Sequence, residues 1–337
     1  MPPRVTAIHP LCAIEGGRIT IEGTGFPVDG PSLPGVLVGG VAARVVYGSP
    51  TELSAIVPAG LPSGRTPVGL AATPDETVLV DIAAPLATGL HQVDNPIFDR
   101  DGNLYVTFSG TRGQQVPVSI FRVRPNGTRE PFSTGIVNPT SMAIDSQGRL
   151  YVSSRFEGAV YRVSPDGEAE PFAQHLGVAC GLAFSRDGTL FVGDRSGTIF
   201  KVDQDGKATT FASLPASVAA FHLAFGPDEA VYVTGPTLSS YDELYRIAPD
   251  GTVTTQDGRF GRPQGLAFDS NGDLFVVEAL AGSSGLYRVA PNASPELVLT
   301  GPGLVGVAFD EADGLVVASN ETAYRLARPV QSFSISA

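Results

Sequence analysis

Arg262-Pro263-Gln264-Gly265-Leu266-Ala267-Phe268-Asp269-Ser270-Asn271-Gly272-Asp273-Leu274-Phe275-Val276-Val277, running on to Gly285-Leu286-Tyr287-Arg288-Val289, is the stretch whose reading decides the fold. It consists of a short apolar strand, an Asp-x-x-Gly turn, a second apolar strand, a loop, and a third strand carrying Tyr-Arg-Val. The unit recurs at Leu182–Val192 with Ile199-Phe200-Lys201-Val202, and at Met142–Val152 with Val160-Tyr161-Arg162-Val163. The positions closing the first strand, Asp99, Asp145, Ser185, Gly226, Asp269 and Asp310, follow one another every 40 to 46 residues. That is the period of a four-stranded propeller blade, so six blades are expected. The sixth unit loses its pattern after Leu326 and lacks an outer strand. Val78–Ala83 precedes the first unit with nothing to pair with, and is expected to supply that strand and close the ring.

Residues 1–72 contain no copy of the repeat. Ile19–Phe26, Val36–Val45 and Leu53–Pro58 alternate as half-buried strands between Gly and Pro turns, which predicts a small β-sandwich. Ile8-His9-Pro10, Gly16-Gly17-Arg18-Ile19-Thr20-Ile21, Gly23-Thr24-Gly25-Phe26, Val38-Gly39-Gly40-Val41 and Val57-Pro58-Ala59-Gly60 resemble the IPT/TIG family of immunoglobulin-like domains. The resemblance implies a spacer or adhesion role without chemistry of its own. The expected organisation is all-β: an Ig-like sandwich over 1–72, a linker over 73–77, a six-bladed propeller over 78–327 and a tail over 328–337.

Composition narrows the partners. The chain has 337 residues, of which 42% are hydrophobic, and a net charge of −12. It is long enough for one large domain and a small one, and its charge repels phosphate backbones, so no nucleic-acid partner is expected. No apolar run approaches a membrane span, and the first residues lack a signal-peptide pattern. Cys12 and Cys180 fall in different domains, so no disulfide between them is expected. A monomer is expected.

The pattern Gly-Leu-Ala-Phe-Asp-x-x-Gly-x-Leu-Tyr-Val followed by Tyr-Arg-Val-x-Pro-Asp-Gly resembles the NHL-repeat and SMP-30/gluconolactonase-like six-bladed propellers. A TIG-like domain ahead of such a propeller looks like an arrangement of exported or surface-attached bacterial proteins. The resemblance implies a periplasmic or extracellular location with an export signal removed; a cytoplasmic one stays open.

In a propeller, the starts of first strands and the ends of second strands meet at one mouth of the central channel. That places Asp94, Asn95, Thr140, Cys180, His222 and Gln264, with Arg155, Asp194 and Glu278, around one polar mouth, the expected binding site for a small molecule, glycan or peptide. The lactonase resemblance implies a divalent cation (Ca, Mg or Zn) at the positions held here by Asp94, Thr140, Cys180 and Gln264. Only Asp94 is acidic, and a glutamine at the base position takes no proton from water. A binding module is therefore the expected function. The alternative is a metal-dependent hydrolase or lyase with a rearranged site, Glu278, Asp194 and His222 serving as catalytic candidates and Asp94 and Glu278 as metal candidates. Asp269-Ser270-Asn271-Gly272-Asp273 looks like the start of a calcium loop, but matching residues recur in most units, which marks a turn. The sequons at Asn126, Asn292 and Asn320 sit in turns or loops.

Overall fold

The computed structural model describes residues 2–291 and 293–326, without the side chains of 257–259. Asn292 and the expected tail over 328–337 lie outside the described residues. Among the described residues every regular element is a β-strand, and no helix is long and apolar enough to cross a membrane.

The repeat units fold as runs of antiparallel strands. Unit 1 comprises Ile97–Phe98, Leu104–Thr107, Ile120–Val123 and Arg129–Ser133, each antiparallel to the next. Unit 2 starts with Pro139–Ile144, unit 3 with Ala179–Phe184, unit 4 with His222–Phe225, unit 5 with Pro263–Phe268 and unit 6 with Leu304–Phe309. These inner strands touch in sequence order, with unit 1 against unit 6, and line a central cavity of about 300 Å³. The Gly of Gly-Leu-Ala-Phe has a packing reason. A Cβ on Gly265 would lie 2.1 Å from Asn95 Oδ1, and one on Gly306 2.7 Å from the Asn95 Cα. Only glycine lets neighbouring units approach this closely.

Six separate blades were expected, and the structure has five four-stranded sheets that stand alone. The strands of unit 5 instead end a twelve-stranded sheet. Cys12–Ala13 pairs in parallel with both Glu296–Thr300, the outer strand of unit 5, and Thr73–Ile82 of the sandwich. This removes an exposed outer edge and fastens the two domains together. Ile14 extends the seam: its amide donates to the Thr300 carbonyl at 3.0 Å, and its side chain packs with Leu299, Leu304 and Leu315.

Ring closure also differs from expectation. Ala84–Thr88, not Val78–Ala83, pairs with Thr322–Arg325 as the outer strand of unit 6. Thr73–Ile82 forms a hairpin with Gly64–Leu70 and buries Val80 and Ile82 in the sandwich core, so the expected linker at 73–77 is strand. The neighbouring strand claims the apolar alternation of Val78–Ile82 first, because a hairpin across a tight turn costs little loop entropy. The five residues that follow reach the ring.

Candidate functional site

The Asp-x-x-Gly turns take their carboxylates out of consideration. Asp269 Oδ1 accepts the amides of Asn271 at 3.0 Å and Asp273 at 2.8 Å, and Gly272 takes φ 83°. Asp145 Oδ1 does the same for Gln147 and Arg149. These turns close the end of the propeller away from the mouth.

At the mouth the structure joins two residues that are far apart in sequence. His222 Nδ1 lies 2.6 Å from Asp94 Oδ1, with the side chains 0% and 3% exposed. Units 1 and 4 face each other across the ring, so this bond crosses the axis and floors the mouth. Asp94 Oδ1 also accepts the Asn95 amide at 2.7 Å. His222 Nε2 is buried without a hydrogen-bond partner. A ring protonated at Nδ1 alone, donating to the carboxylate, would leave a lone pair on Nε2.

The other expected site residues divide by role. Asn95 is structural: its Nδ2 donates to the Leu266 carbonyl at 2.8 Å and its Oδ1 accepts the Val307 amide at 2.9 Å, tying units 1, 5 and 6. Thr140 Oγ1 donates to the Asn138 carbonyl at 3.1 Å. Cys180 donates to the Val178 carbonyl, and burial pushes its thiol up to about 12, so it stays protonated at neutral pH. Gln264 is buried at the start of unit 5, where its backbone carbonyl accepts a hydrogen bond from Thr234 Oγ1 at 2.5 Å.

Asp194 and Glu278 are spent on backbone. Glu278 accepts the amides of Gly261 at 2.5 Å, Arg262 at 2.8 Å and Leu280 at 2.7 Å. Asp194 accepts the Val178 amide at 2.8 Å as well as the Ser196 amide and hydroxyl. Each carboxylate ends a second strand and clamps the loop leading into its own unit. Expected as catalytic candidates, with Glu278 also a metal candidate, both carboxylates hold loop hydrogen-bond donors on each of their oxygens in the structure.

Arg155 remains, with two companions that the sequence reading missed. It is half-buried; burial lowers its pKa, and the like charges of Arg195 and Arg112 lower it further. Among the described residues none of Arg112, Arg155 and Arg195 has an ion pair. Cys180 lies within electrostatic range of Asp94, Arg155 and Arg195, which joins this cluster to the floor of the mouth. Arg195 follows Asp194 just as Arg155 follows Ser154, so aligning units 2 and 3 gives a signal for it. Arg112 rides on the 109–118 loop, pinned by Asn138, which donates to the Ser109 and Thr111 carbonyls and accepts the Gly113 amide. No local pattern announces that placement.

Comparison with known proteins agrees with this architecture. A family model described as the IPT/TIG domain matches residues 3–78. No curated protein matches. Among solved structures, a protein of unknown function from Bacteroides thetaiotaomicron is similar at 14% identity and TM-score 0.56, covering 97% of this chain and 98% of that one. A gluconolactonase from Xanthomonas campestris is similar at 19% identity and TM-score 0.59, covering 72% of this chain and 88% of that one. An auxiliary nutrient binding protein from Bacteroides ovatus is similar at 14% identity and TM-score 0.55, covering 96% and 98%. At these identities the likeness is one of fold: a β-propeller carrying an Ig-like domain.

The lactonase-type cation site does not fit these residues. Asp94 is engaged by His222 and Cys180 is a protonated thiol, while Thr140 and Gln264 are neutral. Among the described residues no three His, Cys, Asp or Glu side chains converge as a metal site requires. A hard divalent cation needs several oxygen ligands, of which one carboxylate is here.

Proposed function

We propose that this protein binds a small molecule in the mouth above the His222–Asp94 floor. The observation that carries this reading is Arg155, a half-buried guanidinium with no carboxylate partner among the described residues, on the same mouth as the buried His222 imidazole, whose Nε2 is unpaired. A desolvated, unpartnered cation is costly to the fold, and a ligand that supplies its hydrogen bonds recovers that cost. Nutrient binding in one structural neighbour supports the reading, at the level of fold analogy.

A thermal-shift screen of sugars, amino acids and organic acids tests it, run on the wild type and on Arg155→Met. Saturating ligand at a hundredfold over Kd stabilises the native state by about 2.7 kcal/mol, a readily measured shift. Compounds that stabilise the wild type should lose that effect in the variant. Hits that stabilise both proteins equally place binding elsewhere.

A second reading, proton transfer on the bound molecule, is favoured by the Asp94–His222 hydrogen bond, which orients the ring and leaves Nε2 as the acceptor. It requires turnover that Asp94→Asn slows about a hundredfold or more. Binding without turnover excludes it.

A further inference from the structure

Three arginines of the mouth face, Arg112, Arg155 and Arg195, belong to units 1, 2 and 3, which occupy one half of the ring, and a fourth, the exposed Arg262, precedes the inner strand of unit 5. Among the described residues the propeller exposes six large apolar side chains: Phe156, Val218, Leu238, Tyr241, Val253 and Leu280. All but Val253 stand on loops of the mouth face, either after a second strand or before an inner strand. Leu238 is 93% exposed and Tyr241 60%, both on the unit 4 loop across the ring from Arg112, and Leu280 adds a third on unit 5. Apolar side chains scattered singly need no explanation, but several on the loops of one face that also carries unpaired cations do.

We infer that the ligand is an amphiphilic oxyanion, a carboxylate or phosphate carried on an aromatic or aliphatic body. The oxyanion accepts from the guanidinium forks on units 1 to 3, and the apolar body lies toward the loops of units 4 and 5. This inference rests on the proposal that the mouth binds a small molecule. Asp94 is held by His222 and Asp194 by amides and a hydroxyl, and among the described residues neither carboxylate forms an ion pair with the three guanidinium groups. Arginine forks suit both carboxylate and phosphate, and water is partly excluded around the half-buried Arg155, where such bonds are strongest. The overall charge of −12 makes this cationic half-ring a local exception.

Isothermal titration of the whole protein tests it, with octanoate, benzoate and phenyl phosphate as probes. Acetate, inorganic phosphate and benzyl alcohol serve as controls that carry either the charge or the apolar body alone. At least one probe should bind tenfold or more tightly than its matching control, and added salt should weaken it. The carboxylate and phosphate arms show which oxyanion is preferred. Arg155→Met should weaken binding at least tenfold, equivalent to about 1.4 kcal/mol, with an unchanged or higher Tm because an unpaired cation is removed. Arg195→Met, at an exposed position, provides the same readout should Arg155→Met fold poorly. Tyr241→Ser should weaken the probes and leave inorganic phosphate unaffected. Tight binding of neutral sugars that Arg155→Met abolishes would overturn the oxyanion while keeping the mouth as the site. Probes that bind no better than the controls, or that ignore both arginine variants, would overturn it too.

Discussion

Replacing Glu278 by Gln should cost stability and leave ligand binding intact, the reverse of what its place at the mouth suggests from sequence. Glu278 is 3% exposed, with Oε1 accepting two amides and Oε2 one. A glutamine with its carbonyl at the Oε1 position keeps two of these bonds in weaker, neutral form, and turns an NH2 group toward the Gly261 N–H. One lost charge-assisted bond is worth about 1.5–3 kcal/mol, and weakening the other two brings the total to roughly 2–4 kcal/mol. At ~2.1 cal/mol/K per residue, a cooperative chain of 337 residues loses between 1 and 2 °C for each kcal/mol, so Tm should fall by about 3–6 °C. Differential scanning calorimetry measures the shift, and titration with the best mouth ligand measures binding in the same sample. A Tm within one degree of wild type together with tenfold weaker binding would show that the carboxylate faces the ligand, and the loop-clamp argument would fail.

Two further outcomes follow from the buried thiols and the domain seam. Cys12 and Cys180 are both 0% exposed, and burial pushes the Cys180 thiol up to about 12, so the native protein at pH 8 should resist a thiol reagent such as DTNB. Both cysteines should titrate in guanidinium chloride, and rapid labelling of Cys180 in the native state would count against a closed mouth floor. Ile14→Ala, at a side chain 1% exposed in the shared sheet, should cost about 2–4 kcal/mol and lower a single common melting transition. Two separate transitions, only one of them shifted, would mean that sandwich and propeller unfold independently.

The repeat, its period, the turns and the sandwich ahead of them were legible in the sequence because each rests on local signals. Apolar runs of strand length, an Asp that accepts amides two and four residues on, and a Gly at positive φ all act within a dozen residues. The list of positions around the mouth followed from the same register, and Asp94, Arg155, Cys180, His222 and Gln264 do sit there. What each does was decided by partners distant in sequence. Asp94 meets His222 across 128 residues, and Asn95 stitches units at opposite ends of the chain. Asp194 and Glu278 give their charge to loop amides that carry no side-chain signature. The closing strand was misplaced by a few residues because two edges competed for Val78–Thr88, and the alternating pattern of a strand does not say which edge wins. The tertiary structure settles that: the hairpin with Gly64–Leu70 forms over a short loop and buries Val80 and Ile82, and Ala84–Thr88 is left to complete the ring.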